Sequence, residues 1–203
     1  MGLFDWLTGK KAKIEVAEDR IWMTQQAKNA GIHREVAQTV TNPAGSSAVI
    51  VVAHFKDCLE QLQTVVAGFP RDRVLVTLAD ALGGRTPTDL AADESRSILI
   101  IVGERHPLPS HDEVILDFAR SQPCRCRLVY HVSLDDPLMK RFSGEWVEGI
   151  LRRLGMKEDE AIESRLVGRH IQSALEKIAK SATGDAPANS EEEWLERNCP
   201  SPE

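Results

Sequence analysis

The chain predicts an α/β fold: a single three-layer domain with a mainly parallel sheet of about four or five strands, followed by C-terminal helices. Two observations carry this. Short apolar runs rich in β-branched residues recur at AVIVVA (48–53), RVLVTL (73–78), SILIIV (97–102) and CRLVYHVS (126–133). Between most of them stand segments with apolar residues at helical spacing. Strand and helix alternating in this way imply right-handed crossovers and a sheet covered on both faces. The length of 203 residues suits one such domain plus tails.

Residues 1–18 form a flexible or amphipathic leader, in which Leu3, Phe4, Trp6 and Leu7 precede Lys10, Lys11 and Lys13. Residues 3–13 have the composition of a segment that lies transiently on an anionic membrane surface, or else packs its aromatics onto the domain. The α/β domain spans 19–142. It opens on a helical pattern through Ile21, Trp22, Ala27 and Ile32 that Gly31 interrupts, with a second short helix through Val36 and Val40. The loop TNPAGSS (41–47) leads into the first strand, and FKDCLEQLQTVVAG (55–68) is its helix. After the second strand comes an irregular connection (79–94), then the third strand and the loop ERHPLPS. HDEVILDFARSQ (111–122) follows as a helix that Ser110 is placed to cap. Beyond the fourth strand, residues 143–182 are a helical extension and 183–203 a disordered acidic tail, in which Trp194 and Leu195 are available to dock.

The net charge of −6 and the lack of a basic stripe with interleaved aromatics exclude nucleic acid as the main partner. The apolar runs are far shorter than the ~20 residues a membrane span takes. The start MGLFDWLTGKKAK carries no long apolar region, and Trp6 stands where a myristoylation signal wants Ser or Thr. A cytoplasmic location is expected, peripheral at the inner face of the membrane if the leader binds lipid. Cys58, Cys124, Cys126 and Cys199 show no framework spacing and are expected to stay reduced.

Motifs for chemistry are sparse. The Gly9-Lys10 pair is followed by Lys11 instead of Ser or Thr, and no glycine stands five residues ahead of Gly9, so the chain has no P-loop. No Gly-x-Ser-x-Gly elbow exists, and Cys58 falls on the core face of its helix. His106, His111, Cys124 and Cys126 supply ligand types for zinc, but Cys-x-Cys is unlike the Cys-x2-Cys of structural sites. Asp135 and Asp136 open a helix and are expected to cap it. His131, alternating within a strand, reads as a satisfied core or edge residue. Glu104, Arg105 and His106 follow a strand end, where α/β folds hold ligands. They either bind one or pair structurally across the loop.

SLDDPLMKRF (133–142), LGM (154–156) and EAIESRLVGRHIQSAL (160–175) stand in order at the spacing of a known segment. They resemble the exit of the second RecA-like, helicase C-terminal-like, motor domain of the SecA preprotein translocase family, which reads SLEDDLMRIF, LGM and EAIEHxxVTRAIxxAQ. The likeness extends upstream in weaker form. GGRTPTDL (83–90) resembles the family's GRGTD with one residue more between Arg85 and Asp89, and VGERHPLPSHD (102–112) keeps Glu104, Arg105 and His106 of GTERHES. The family's arginine helix, QxRGRxGR, has no counterpart, since Arg120 and Arg125 lack its glycines and spacing. The resemblance covers residues 97–181, and about 135 residues if the upstream strands are included. It implies a degenerate RecA-like lobe with the root of a helical scaffold, the first motor domain being absent.

The function so implied is that of a non-catalytic, accessory protein-interaction module linked to preprotein translocation, with a translocase component as partner. Trp146, Ile162, Leu166 and Ile171 form the expected contact face. The alternatives are a membrane-surface adaptor and a regulator that binds ATP or ADP without hydrolysis through Gly84, Arg85, Asp89, Glu104 and Arg105. No resident cofactor is expected.

Overall fold

The computed structural model describes residues 14–42, 47–82, 97–142, 144–153 and 159–199, with residues 155 and 157. In chain order it places β1 (Ile14–Val16), β2 (Arg20–Trp22), α1 (Gln25–Thr41), β3 (Ser47–Ala53), α2 (Lys56–Val65) and β4 (Val74–Leu78). There follow β5 (Ser97–Val102), α3 (Asp112–Ser121), β6 (Arg125–Ser133), α4 (Pro137–Phe142) and α5 (Gly144–Arg153). The chain closes with β7 (Ile162–Glu163), α6 (Arg165–Ser181) and α7 (Glu191–Asn198).

The strand order is β4-β3-β5-β6-β2-β7, with β1 beside the first half of β6. Every pairing is parallel except that of β7 with β2. The fold is therefore the α/β, mainly parallel sheet expected. The four long strands fall where the β-branched runs stand, and short β1, β2 and β7 bring the described strands to seven. Runs of two or three residues carry no periodicity that a sequence reading can detect.

Alternation along each long strand divides the core. On β3, Ala48, Ile50 and Val52 point to the face covered by Ile115, Phe118 and Ala119 of α3. Val49, Val51 and Ala53 point to the face covered by Ile32 and Val36 of α1 and Cys58 and Leu62 of α2. Both sets are buried, which is why these strands read as unbroken apolar runs. A third cluster lies at the end of the sheet, where Val167, Ile171, Leu175 and Ile178 of α6 meet Leu138, Met139, Val147, Trp194 and Leu195.

Four local expectations change. Residues 14–16, assigned to the leader, form β1 against Cys126–Leu128; the lipid-contact stretch 3–13 lies outside the described residues. Helical periodicity around Ile21 and Trp22 is misleading, because these residues are β2, and a single helix runs unbroken through Gly31. Gly31 is required there: a Cβ on it would lie 2.1 Å from the Trp22 ring. Ser110 does not cap α3, since a 3-10 turn over Pro109–His111 carries the chain into it.

The fourth change concerns the end of the chain. Within the stretch expected as a disordered tail, α7 is a packed helix with Trp194 1% and Leu195 2% exposed. Ser190 caps it by accepting from the Glu193 N–H at 3.1 Å, and three glutamates in its first turn face the positive end of its dipole. Asn198 ties the approach by accepting from Ala186 N–H at 2.7 Å and donating to the Ala186 carbonyl at 3.1 Å.

Candidate functional site at the carboxyl edge of the sheet

Parallel strands end together at one edge, and the loops after β2, β3, β5 and β6 converge there. Lys28, one turn into α1, reaches this edge from below. Its ammonium donates to the Gly103 carbonyl at 2.8 Å and to Oδ1 of Asp136 at 2.7 Å. The other carboxylate oxygen of Asp136 accepts from Ser133 N–H at 2.7 Å, so one side chain ties the β6 loop to α1. Glu104 accepts from the N–H groups of His54 and Phe55 at 2.9 and 3.0 Å, joining the ends of β5 and β3.

Over these groups lies a cleft of about 460 Å3, closed on one side by the first turn of α7. Its acidic lining comprises Asp57, Glu104, Asp135, Asp136, Glu191 and Glu192, against Lys28 and Lys140. Glu191 accepts from Leu138 N–H at 3.3 Å through Oε2, while Oε1 is buried without a hydrogen-bond partner. Burial, reinforced by Asp136 and Glu104, pushes the Glu191 carboxyl well above the usual carboxylate range. Burial raises Glu104 as well, against the pull of His54, Lys28 and two backbone N–H groups. It opposes the charge on Lys28, but Asp136 and its neighbours outweigh it and hold the ammonium above its ordinary value. Cys58, also in the lining, is pushed well up by burial and by Glu104, so its thiol is a poor nucleophile.

Beside the cleft, Arg105 donates to Oδ2 of Asp112 at 2.8 Å and to both carboxylate oxygens of Asp19. Its guanidinium carbon lies 3.4 Å from the centre of the Tyr130 ring. Asp19 and Asp112 overcome the burial penalty and raise the pKa of Arg105 further. Asp112 takes the His54 ring on its other oxygen at 2.8 Å. His106 fills the space between, stacked on Phe55 at 5.2 Å and on His111 at 3.7 Å, with the Trp194 ring edge-on at 5.3 Å. Burial, with His54 and His111, drives His106 down to about 3.

The expected residues separate on this frame. Glu104 and Arg105 both lie at the carboxyl edge, yet they do not pair with each other: each fastens a different loop. Gly84, Arg85 and Asp89 lie outside the described residues. His106 and His111 are neighbours, whereas Cys124 and Cys126 are buried in the α3-side core at the opposite edge of the sheet, where β6 begins. The four cannot share one ion. Asp135 caps α1 rather than its own helix, accepting from Gln25 N–H at 2.9 Å. Of the contact face, Ile171 is buried in the core, Ile162 packs half-buried against the same cluster, and Leu166 stays 58% exposed. The Trp146 side chain is not among those described.

Lys28, Asp19, His54, Asp185 and Glu191 belong to this region and were not singled out from the sequence. A lysine or glutamate inside an amphipathic helix reads as solvated, and only the fold turns it inward. Glu191 carried one legible signal, Ser190 with Glu193 three residues on, the spacing of a capping box ahead of Trp194-Leu195.

No protein-family model matches the chain. A protein translocase subunit SecA of Clostridium botulinum is 37% identical over 108 residues, covering 51% of this chain and 13% of that protein. Another C. botulinum SecA is 33% identical over 111 residues, and the SecA of Clostridium beijerinckii 32% over 111 residues. The chain thus spans about one eighth of the length of the curated relatives it matches. Among solved structures, the C-terminal part of the Fun30 ATPase domain aligns with a TM-score of 0.41 at 10% identity, covering 75% of this chain and 54% of that one.

Proposed function

We propose, from the relationship to the SecA translocase motor over half of the chain, that this protein is a non-catalytic lobe that works by binding protein beside the translocation machinery. The observation that carries the reading is the state of the carboxyl edge. Among the described residues, two of its cations are committed to the chain's own groups, Arg105 to Asp19 and Asp112, and Lys28 to Asp136. The cleft beside them presents a surplus of carboxyl groups, a field that repels a triphosphate and favours a basic side chain. No P-loop occurs in the sequence, and the family's arginine helix has no counterpart.

Leu166, exposed on α6, and the acid-lined cleft are the surfaces we assign to the partner. Among the described residues no helix is long and apolar enough to cross a membrane. We place the protein on the cytoplasmic side, with residues 3–13 as an optional contact to lipid. The test is ATP turnover by the purified protein. Turnover at background is expected; turnover above background that Arg85→Ala abolishes contradicts the reading.

A further inference from the structure

We propose that His106, His111 and Asp185 form a binding site for one divalent transition-metal ion of the zinc type, which fastens the C-terminal segment to the loop after β5. The three side chains bring a ligand atom each to within 4.8 Å of one another. Two imidazoles and one carboxylate suit zinc, which takes nitrogen and oxygen donors and accepts a water in the fourth position. The last two residues of the four-ligand set considered from the sequence are replaced by one aspartate from a distant part of the chain.

The surroundings orient these donors as metal sites require. Asp185 contacts His111 Nε2 at 2.8 Å through Oδ2, while its Oδ1 accepts from the indole N–H of Trp194 at 2.9 Å. That second bond fixes the carboxylate from behind. On His106, Nδ1 faces the Leu108 backbone, 3.0 Å from its N–H and 3.3 Å from its carbonyl oxygen. Nε2 is then the coordinating atom: capture of the ion moves the ring proton from Nε2 to Nδ1, which gives up its bond from the Leu108 N–H and donates to the Leu108 carbonyl instead. His106 is 4% exposed and wedged between Phe55 and His111, so its ring is held in place before the ion arrives. Closing the triad onto one ion requires the exposed partners, His111 and Asp185, to shift toward it.

The consequence is mechanical. His111 sits at the entry to α3 and Asp185 on the approach to α7, so the ion cross-links two parts of the chain 74 residues apart. Bound metal adds a tie that holds α7 over the cleft; its loss loosens the segment 182–199, which keeps its own packing.

The experiment uses untagged full-length protein stripped with chelator and titrated with Zn2+ by calorimetry, and with Co2+ by visible absorption. One ion per chain is expected, with the intense bands of four-coordinate cobalt, and slower amide exchange over 182–199 in the metal-loaded form. His111→Ala and Asp185→Asn are expected to abolish stoichiometric binding, and Cys124→Ser with Cys126→Ser to leave it unchanged. Trp194→Phe, which keeps a six-membered aromatic ring and removes the N–H, is expected to weaken affinity by about 10–100-fold. Absence of stoichiometric binding overturns the proposal, as does binding that survives both His111→Ala and Asp185→Asn. A folded far-ultraviolet spectrum for each variant separates loss of the site from loss of the fold.

Discussion

The indole N–H of Trp22 donates to Nδ1 of His131 across 3.2 Å, inside the core. An indole nitrogen can only donate, so Nδ1 is the acceptor and the ring proton sits on Nε2, which Glu35 accepts at 3.0 Å. Burial holds His131 below its ordinary value despite that carboxylate. Glu35 in turn accepts from Arg20, which also reaches Glu163 at 3.2 Å. The chain Trp22–His131–Glu35–Arg20–Glu163 joins β2, β6, α1 and β7, and explains how a three-residue strand holds its register between β6 and the two-residue edge strand β7.

Replacing Trp22 by Phe keeps a six-membered aromatic ring but removes the pyrrole ring with its N–H, which leaves Nδ1 of His131 without its donor and opens a small cavity. An unsatisfied buried acceptor costs about 1–3 kcal/mol, and a loss of that size in urea denaturation is expected. An unchanged midpoint contradicts the assignment of the tautomer.

Gly31→Ala sets two effects against each other. Alanine gains up to about 1 kcal/mol of helix propensity over glycine. Against it, the new methyl overlaps Trp22 at 2.1 Å, and overpacking in a filled core costs about 1–3 kcal/mol. Because Trp22 is 4% exposed and held at its nitrogen by His131, it has no room to yield, and net destabilisation is expected. Equilibrium unfolding of the variant decides the sign.

Glu191→Gln probes the buried end of α7. The folded carboxyl titrates above its unfolded value, so its contribution is intact below the ordinary carboxylate range and is lost as pH rises through the folded value. Glutamine copies the protonated acid and does not ionise. The variant is expected to match the native protein only below the ordinary carboxylate range, at about pH 4 or lower, and to exceed it increasingly as pH rises above that range in thermal unfolding. A gap that stays constant or shrinks with pH contradicts a proton-bearing Glu191.

ATP and ADP are expected to leave the melting temperature unchanged at millimolar concentration. A ligand at about 100 times its dissociation constant stabilises by about 2.7 kcal/mol, a readily measured shift. A shift that Arg105→Ala removes would restore the nucleotide-binding alternative.

The central strands and the helices between them were legible because both sheet faces are covered, so each strand is a dense β-branched run that no helical period imitates. The register of β2 was not, since Ile21 and Trp22 fall at a spacing compatible with the helix that follows. The C-terminal segment is not legible as a helix because composition dominates over 183–203: its glutamates read as solvated, while the burial rests on a few residues, chiefly Trp194, Leu195 and Cys199. At the candidate site, Glu104 and Arg105 were found from their place after a strand. Of their true partners, His54 and Asp19 come from distant parts of the chain and Asp112 opens α3 seven residues beyond Arg105, so no local pattern marks the set.

The most direct test of the central claim is sedimentation velocity of the purified chain mixed with full-length SecA from the same cell, without nucleotide. The account expects co-sedimentation, weakened by Leu166→Asp on the exposed face of α6 and by added salt through the acid-lined cleft. Independent sedimentation of the two proteins at micromolar concentration, with the chain folded, would contradict it.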